Sequence, residues 1–287
     1  MSAPVERVGV VGCGAMGTGF AVLCARNGRT VTVVSSSPAT VSRGRQRLRE
    51  SLERAAAKGK LPAGDLDAVL DRLSVTADLA DLAGCQLVLE AVPEDLDLKI
   101  EIFSQLDKVV QDPDAILASN TSSIPIIRLA RATARGSHVV GMHFFNPVSV
   151  MPLVEIVASL LTEDRIRDRA QEFATTVLGK EAIVSGDRAG FVVNALLIPY
   201  LLSAVRMLES GFATAEDIDH GMLRGCGHPM GPLALVDMIG LDTVGAVADA
   251  LFDEFKQPLY APPPLLSRMI DGGMLGRKSG RGFFDYS

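Results

Sequence analysis

The sequence is poor in the residues that build metal and disulfide sites. Its 287 residues include four cysteines, Cys13, Cys24, Cys85 and Cys226, and no two of them form a CxxC pair. This spacing argues against a zinc site and against a disulfide framework, and it is typical of a protein from a reducing cytoplasm. We therefore expect a cytoplasmic protein without a bound metal.

Positive charge and long apolar segments are also scarce. The formal net charge is -6, which argues against a nucleic-acid-binding protein because such proteins need basic residues against phosphates. The apolar run Ala195–Val205 is too short to span a bilayer and contains Pro199. The hydrophobic share of 48% is enough for folded domains with substantial cores. We expect a globular protein that binds neither nucleic acid nor membrane.

The clearest motif is a glycine-rich turn, Gly12-Cys13-Gly14-Ala15-Met16-Gly17, between a predicted strand and a predicted helix. The first glycine permits a tight turn, the second lets a pyrophosphate approach the backbone, and the third lets the helix pack close to the strand. The amides at the start of the helix would hold the pyrophosphate. The motif predicts a dinucleotide site formed by Gly12, Gly14, Ala15, Met16 and Gly17.

Strand and helix signals alternate through the first two-thirds of the chain. Most of the predicted strands are short, apolar and β-branched, which is typical of a parallel sheet covered on both faces. We therefore predict an α/β fold whose N-terminal part is a Rossmann-type, doubly wound sheet. The predicted strands are Arg7–Val11, Thr30–Val34, Leu87–Ala91, Ala115–Ser119 and Val139–Met142, with two peripheral strands at Leu153–Val157 and Ala182–Val184.

A long helical insertion, from Val41 to about Leu82, follows the second predicted strand. In its first part, polar and basic residues recur at helical spacing and form one face. Such a face is either simply solvated or the docking surface of an anionic ligand tail, and the pattern alone leaves both open. The face consists of Arg47, Ser51, Arg54 and Lys58.

The chain changes character after Ser185, where a polar, glycine-bearing joint precedes a region without strand alternation. We therefore predict a nucleotide-binding domain, residues 1–187, and a C-terminal all-α domain, residues 188–287. The first helix of the second domain is apolar nearly all round, which favours burial, including burial against a second subunit. The predicted helices are Phe191–Glu209, Ala215–Leu223, Pro232–Phe255 and Leu265–Gly272.

Some polar residues in apolar surroundings are candidates for chemistry. His143 ends a predicted strand, at the edge where ligands bind in open α/β sheets, so it is either a general base or a structural histidine. Glu155 lies in an apolar segment, where it either pairs with an imidazole or faces solvent. Asn194 lies near the start of an apolar helix, and its partner is either a ligand oxygen or a backbone carbonyl.

Longer motifs occur in order over nearly the whole chain, and through them the sequence resembles the 3-hydroxyacyl-CoA dehydrogenase family in its short, single-function form. The runs HFFNP at 143–147 and GFVVN at 190–194 are far more specific than the glycine motif. The other matching runs are Gly12–Gly17, Glu90–Glu94, Ala118–Ser123, Pro229–Pro232 and Lys278–Phe283.

The resemblance implies a reversible oxidation of (S)-3-hydroxyacyl-CoA, of short chain length such as 3-hydroxybutyryl-CoA, to 3-oxoacyl-CoA. In the family, the residue matching His143 takes the proton of the 3-hydroxyl while hydride leaves C3, and the residue matching Glu155 holds that imidazole. The residues matching Ser122 and Asn194 hydrogen-bond the reacting oxygen or the thioester region.

Further positions follow from the same resemblance. The helix that carries Ser51 and Lys58 matches the element that holds the CoA tail, which favours the ligand-binding interpretation of the basic face. The family's helical domain usually forms a dimer, so the resemblance implies a homodimer through the C-terminal domain. The positions on the cofactor side are Glu94, Lys99, Asn120, Asn146 and Lys278.

The end of the second predicted strand departs from the usual pattern. An acidic residue there binds the adenosine ribose hydroxyls and repels a 2′-phosphate. Here the strand continues into Ser35, Ser36 and Ser37, with Arg43 and Arg45 close in sequence. Because hydroxyls can donate to a phosphate, we expect NAD or NADP as cofactor and hypothesise that Ser35 and Ser36 favour NADP.

Two other functions stay open. With an acyl carrier protein in place of CoA, the enzyme would be a hydroxyacyl-carrier-protein dehydrogenase supplying polyketide extender units. A non-catalytic nucleotide-binding protein, comparable to lens crystallins of this fold, is the alternative outside enzymes. The intact set of Ser122, His143, Glu155 and Asn194 argues against it, and Ser51 and Lys58 argue against relatives that oxidise free sugar acids.

Overall fold

The computed structural model describes residues 4–59 and 65–286. They form two compact units, the first ending at Asp187 and the second beginning at Arg188. The first unit is α/β and the second is helical, so the predicted fold class is confirmed. No helix in the described part of the chain is long and apolar enough to cross a membrane.

The centre of the first unit is a sheet of eight strands: β1 (Arg7–Val11), β2 (Thr30–Val34), β3 (Leu73–Thr76), β4 (Leu87–Glu90), β5 (Ile116–Ser119), β6 (Val139–Phe144), β7 (Leu153–Ala158) and β8 (Glu181–Gly186). Their order is β3-β2-β1-β4-β5-β6-β7-β8. The chain therefore runs outward from β1 in one direction and then in the other, which is the doubly wound arrangement. Central strands β4, β5 and β6 are buried along their whole length, as expected for a sheet covered on both faces.

Helices connect these strands: α1 (Ala15–Arg26), α2 (Pro38–Ala57), α3 (Leu66–Leu70), α4 (Leu96–Val109), α5 (Ile126–Ala130) and α6 (Asp164–Glu172). The start of α2 is strongly specified, because Ser37 and Thr40 form a capping box and Pro38 occupies the first turn. Leu48 and Leu52, four residues apart, are buried and fix which face of α2 packs on the core. The opposite face is left for the basic residues.

Strand β3 was not predicted, because it lies inside the segment with helical signals. It has four residues, and two of its side chains are half-buried and one exposed, so its apolar pattern is weak. Its stability comes from tertiary pairing, since Val31 to Val34 of β2 align with Leu73 to Thr76 in parallel. The insertion thus contains α2, α3 and an edge strand, and its residues 60–64 lie outside the described residues.

Strand β7 runs against its neighbour β6, whereas the other neighbouring strands of the sheet are parallel. In this antiparallel ladder His143 pairs with Glu155, and Met142 pairs with Ile156. The predicted strand Val139–Met142 is too short, because β6 continues to Phe144, so His143 lies within the strand. Its register with β7 fixes which residue lies directly opposite.

The second unit contains α7 (Val193–Glu209), α8 (Ala215–Gly225), α9 (Pro232–Ile239), α10 (Leu241–Phe255) and α11 (Pro264–Asp271). The predicted single helix Pro232–Phe255 is wrong, because Gly240 has a φ of 103° and separates α9 from α10. The start of α7 at Val193 is set by positive φ angles at Gly190 and Phe191.

Helix α7 is only partly buried within one chain. Leu201, Leu202 and Val205 are inaccessible to solvent, but Leu196 is 72% exposed and Met207 is 42% exposed. One side of this apolar helix therefore lies on the surface of the chain.

Candidate functional site

The glycine-rich turn lies between β1 and α1, and two of its glycines are required by backbone contacts. Gly12 has a φ of 107°, and a Cβ there would lie 2.6 Å from the Ala91 carbonyl oxygen. At Gly17 a Cβ would overlap the carbonyl oxygen of Gly12. These contacts hold α1 against the turn and direct its N-terminus at the carboxyl edge of the sheet.

Gly14 is different, because a Cβ there would meet no atom within 4 Å. It is the N-cap of α1, and because glycine has no side chain it leaves the first amides of the helix without a side-chain cap. The turn lines a cavity of about 700 Å³. This open backbone at a helix N-terminus fits the pyrophosphate of a dinucleotide.

The same cavity includes the end of β2, where the sequence has serines in place of an acid. Ser36 and Arg43 line it and are exposed. Ser35 also lines it but is 6% exposed, and its hydroxyl donates to Thr40 Oγ1 at 2.7 Å. Arg45 is not part of this wall, because it donates to the Val75 carbonyl at 3.4 Å. Of the two arginines near β2 in sequence, Arg43 is the one that faces the cavity.

His143 and Glu155 form a buried pair at the carboxyl end of β6. The distance from His143 Nδ1 to Glu155 Oε2 is 2.6 Å, and the two side chains are 7% and 0% exposed. The ring of His143 also lies 4.7 Å from that of Phe145, centroid to centroid. A carboxylate in this position fixes the tautomer and orientation of an imidazole and stabilises its protonated form.

Ser122 follows β5, the parallel neighbour of β6, so it leaves the sheet at the same edge as His143. Its loop is held by Glu94, whose Oε1 accepts from Ser122 N at 3.0 Å, from Ser123 N at 3.2 Å and from the Thr121 hydroxyl. Burial alone would raise the pKa of Glu94, but Lys99 and these hydrogen bonds hold it below its usual value. Glu94 therefore remains charged and anchors the loop.

Behind this loop lies a buried ion pair that the sequence reasoning missed. Lys99 Nζ is 2.6 Å from Glu90 Oε1 and 3.3 Å from Glu94 Oε2, and the Lys99 side chain is 1% exposed. The other Glu90 oxygen accepts from Ser119 Oγ at 2.6 Å. The available signal was an acid ending the apolar strand Leu87–Glu90, since a buried carboxylate requires partners.

The two asparagines with a predicted cofactor role lie in different surroundings. Asn120 Oδ1 accepts from Phe144 N at 3.0 Å and so links the ends of β5 and β6. Asn146 lines a second cavity, of about 650 Å³. The structure thus places Asn120 at the carboxyl edge of the sheet and Asn146 on the loop that follows His143.

The basic face of α2 forms one wall of this second cavity. Arg47, Ser51, Arg54 and Lys58 all line it, so the four residues picked out by helical spacing point at a common space. The opposite wall is the loop 146–150, and Lys180 holds that loop by donating to the carbonyls of Val148 and Met151 at 2.6 and 2.7 Å. Burial lowers the pKa of Lys180.

Two predicted site residues belong to the second unit. Asn194 is half-buried in the first turn of α7. Lys278 is paired with Asp242 at the start of α10, with Nζ–Oδ distances of 2.5 and 2.6 Å. Although burial alone would raise the pKa of Asp242, its hydrogen bond from Lys278 lowers it. Their part in the site remains a prediction.

The geometry can be compared with known proteins. The sequence matches the profiles "3-hydroxyacyl-CoA dehydrogenase, NAD binding domain" over residues 7–188 and "3-hydroxyacyl-CoA dehydrogenase, C-terminal domain" over residues 190–286. It is 56% identical to the 3-hydroxybutyryl-CoA dehydrogenase of Mycobacterium tuberculosis, and the alignment covers 100% of both chains.

Solved structures give the same result. The fold is similar to M. tuberculosis FadB2, with a TM-score of 0.97 and 55% identity over 99% of this chain and 100% of that chain. It is also similar to (S)-3-hydroxybutyryl-CoA dehydrogenase PaaH1 from Ralstonia eutropha, with a TM-score of 0.93 and 44% identity over 99% and 100% of the two chains. The chain therefore belongs to the 3-hydroxyacyl-CoA dehydrogenase family of oxidoreductases.

Proposed function

We propose that this protein is a 3-hydroxybutyryl-CoA dehydrogenase, which interconverts short-chain (S)-3-hydroxyacyl-CoA and 3-oxoacyl-CoA with a nicotinamide cofactor. The observation that carries the proposal is the buried His143–Glu155 pair at 2.6 Å, at the carboxyl edge of a dinucleotide-binding sheet. The full-length relative at 56% identity, named for this reaction, supports the choice of substrate.

In this proposal His143 is the general base. Because Nδ1 is held by Glu155, Nε2 is the nitrogen that takes the proton of the substrate 3-hydroxyl. Glu155 then stabilises the imidazolium that forms. The nicotinamide, when bound, supplies the hydride acceptor for C3. In the reverse direction His143 returns the proton to the oxygen of the 3-oxo group.

Ser122 and Asn194 are proposed to donate hydrogen bonds to the substrate, Ser122 to the reacting oxygen and Asn194 to the thioester region. Glu94 supports this role of Ser122, since it fixes the loop through two backbone amides. Lys99 is too buried for a direct part and would act by holding Glu94. Asn120, Asn146 and Lys278 complete the proposed cofactor side.

For the cofactor we propose that NADP(H) is accepted beside NAD(H). The support is chemical: Ser36 and Arg43 line the cavity at the end of β2, where an acid would repel a 2′-phosphate. Ser35 would contribute less, because its hydroxyl is buried on Thr40.

For the substrate carrier we propose CoA, with Ser51 and Lys58 holding phosphates of its tail in the second cavity. We further propose a homodimer through the second unit, which the exposed Leu196 on α7 supports. A reducing, cytoplasmic location agrees with four free cysteines, three of which are buried.

The test is reduction of acetoacetyl-CoA by the purified protein, followed at the nicotinamide absorbance, with NADH and NADPH in parallel. Turnover with either cofactor is expected. Arg43→Gln should raise the KM for NADPH more than that for NADH. If the wild type and Arg43→Gln both turn over with NADH and not with NADPH, the proposal that NADP(H) is accepted is wrong.

The substrate carrier is tested in the same assay by replacing acetoacetyl-CoA with acetoacetyl-acyl carrier protein. Activity on the carrier-protein ester without activity on the CoA ester would mean that the acyl group of the substrate is carried by an acyl carrier protein and not by CoA. Absence of turnover on both, with retained nucleotide binding, would favour a non-catalytic nucleotide-binding protein.

A further inference from the structure

Arg47 lines both of the cavities described above. The first cavity, at the glycine turn, and the second, at the basic face of α2, share three lining residues, Gly14, Ala15 and Arg47. Gly14 and Ala15 contribute the N-terminus of α1, and Arg47 contributes a guanidinium from α2. The boundary between the two spaces therefore consists of a helix N-terminus and one arginine.

The position of Arg47 follows from close packing of α2 on the glycine turn. Gly44 is buried, and a Cβ at this position would lie 3.2 Å from Cys13 Sγ and 3.1 Å from Val75 Cγ1. Because glycine lets α2 approach, the residue almost one turn later reaches the turn itself. Arg47 Nη1 donates to the Cys13 carbonyl at 2.9 Å.

Its remaining donors are available to ligands. Arg47 is exposed, and no further hydrogen bond of its guanidinium is found among residues 4–59 and 65–286. A guanidinium has five N–H donors in a planar fork, so one bond to Cys13 leaves groups for phosphates on either side. The other charged residues of the first cavity are Arg43 and Glu101, and those of the second are Arg54 and Lys58.

On the proposed function, both cavities take polyanions, a nucleotide pyrophosphate in the first and CoA phosphates in the second. Two such ligands on either side of one residue repel each other, and a positive charge between them offsets this repulsion by attracting both. We propose that Arg47 is this charge and makes the binding of the nucleotide and of the acyl-CoA mutually compatible. Arg47 is thus a coupling residue, and its effect is a free energy between two sites.

The chain supplies matched controls on the same surface. Arg43 lines the nucleotide cavity alone, and Arg54 lines the second cavity alone. Arg49 is exposed on α2 and lines neither cavity. Each can be changed to glutamine, which removes the same charge from a different place.

The experiment measures dissociation constants by calorimetry for NADH alone, for CoA alone, and for CoA on the NADH-saturated protein, in wild type and in each variant. Arg43→Gln should weaken the binding of NADH but not that of CoA. Arg54→Gln should weaken the binding of CoA but not that of NADH, and Arg49→Gln should change neither dissociation constant. Arg47→Gln should weaken both. Relative to wild type, it should also raise the dissociation constant of CoA at least about fivefold more on the NADH-saturated protein than on the free protein.

Higher salt should shrink the Arg47→Gln effect, because the coupling is electrostatic. If Arg47→Gln weakens both ligands but leaves the ratio of the two CoA constants at the wild-type value, the coupling role is wrong. If it behaves like Arg49→Gln, the placement of the charge is wrong. If the wild-type protein reduces acetoacetyl-CoA, the proposed function stands whichever of these two outcomes Arg47→Gln gives. If the wild-type protein binds no CoA, both the coupling role of Arg47 and the proposed function are wrong.

Discussion

At the scale of single residues, two carboxylates of the first unit have contrasting surroundings. Glu155 is fully buried and lies 2.6 Å from the His143 ring, whereas Glu94 is partly exposed and accepts from several groups of one loop. The first arrangement orients a single ring, and the second fixes a loop backbone. Neutralising these two carboxylates should therefore affect different properties, the orientation of the His143 ring in one case and the stability of a loop in the other.

Replacing His143, the proposed base, should remove turnover without removing nucleotide binding. For His143→Gln we expect kcat to fall by about 10²- to 10⁴-fold, which is the usual contribution of a general base. The KD for NADH, from fluorescence titration, should stay at the wild-type value. His220→Gln, at an exposed position on α8, is the control and should retain activity. Wild-type turnover in His143→Gln would contradict the assignment of the base.

Neutralising Glu94 should change how stability depends on pH. The pKa of Glu94 is lowered in the folded protein. Its charge therefore stabilises the fold fully at pH values above the pKa that Glu94 has in the unfolded chain, and this stabilisation is lost as pH falls through the folded pKa. Glu94→Gln should therefore lower the free energy of unfolding at neutral pH, and the difference from wild type should narrow below about pH 4.3.

Urea unfolding over a series of pH values measures this difference. Glu172→Gln, at an exposed position on α6, serves as the control and should show none of it. A Glu94→Gln deficit that is the same at all pH values would mean that the charge of Glu94 does not anchor the loop.

At the scale of elements, the junction of β1 and α1 contains one glycine needed for packing, Gly17, and one proposed to bind the cofactor, Gly14. Gly17→Ala should destabilise the protein by about 2 kcal/mol, because its Cβ would overlap the Gly12 carbonyl and force the helix outward. Gly14→Ala has open space, so its stability should stay within about 1 kcal/mol of wild type. Its affinity for NADH should nevertheless fall by about tenfold, since the new methyl occupies the pyrophosphate position.

Thermal unfolding and NADH titration of both variants test this pair. Equal loss of stability in the two variants would show that Gly14 is also needed for packing. Equal affinity for NADH in Gly14→Ala and wild type would place the pyrophosphate elsewhere.

The element scale also shows how far the sequence could go. β1 and β2 were predictable because their β-branched runs are local signals that agree with the fold. The predicted insertion began at Val41, whereas α2 begins at Pro38, so the capping box of Ser37 and Thr40 was a local signal that was missed. β3 was not predictable, since its pairing with β2 is a tertiary effect. The break at Gly240 was missed because an apolar helical pattern continues on both sides, and its φ of 103° depends on packing.

The site shows the same division. The glycine turn and His143 were found from local sequence, but the partner of His143 depends on the register of β6 and β7. From residues alone, Glu155 was as compatible with a solvent-facing position. Glu90 at the end of an apolar strand indicated a buried partner, but that partner, Lys99, lies on a helix and could not be identified from local sequence. Local pattern therefore located the site, and long-range pairing assigned the partners.

At the scale of the whole molecule, the exposed apolar side of α7 predicts association. Leu196→Glu should shift the protein from dimer to monomer, because a charge placed on a buried interface is costly. Leu160→Glu, at a leucine that is 99% exposed in the first unit, is the control and should leave the mass unchanged. Sedimentation equilibrium measures both. A wild-type monomer, or a dimer insensitive to Leu196→Glu, would contradict the proposed interface.

The reversed direction of β7 has a consequence for how activity is inferred in related chains. His143 meets Glu155 because these residues face each other in one antiparallel ladder. A slip of one residue would present Val154 or Ile156 instead and turn the carboxylate to the other face of the sheet. A related chain could thus keep both residues in its sequence and still lack the buried imidazole–carboxylate pair. Whether such a chain retains the pair depends on the alignment of the two strands as much as on the two amino acids.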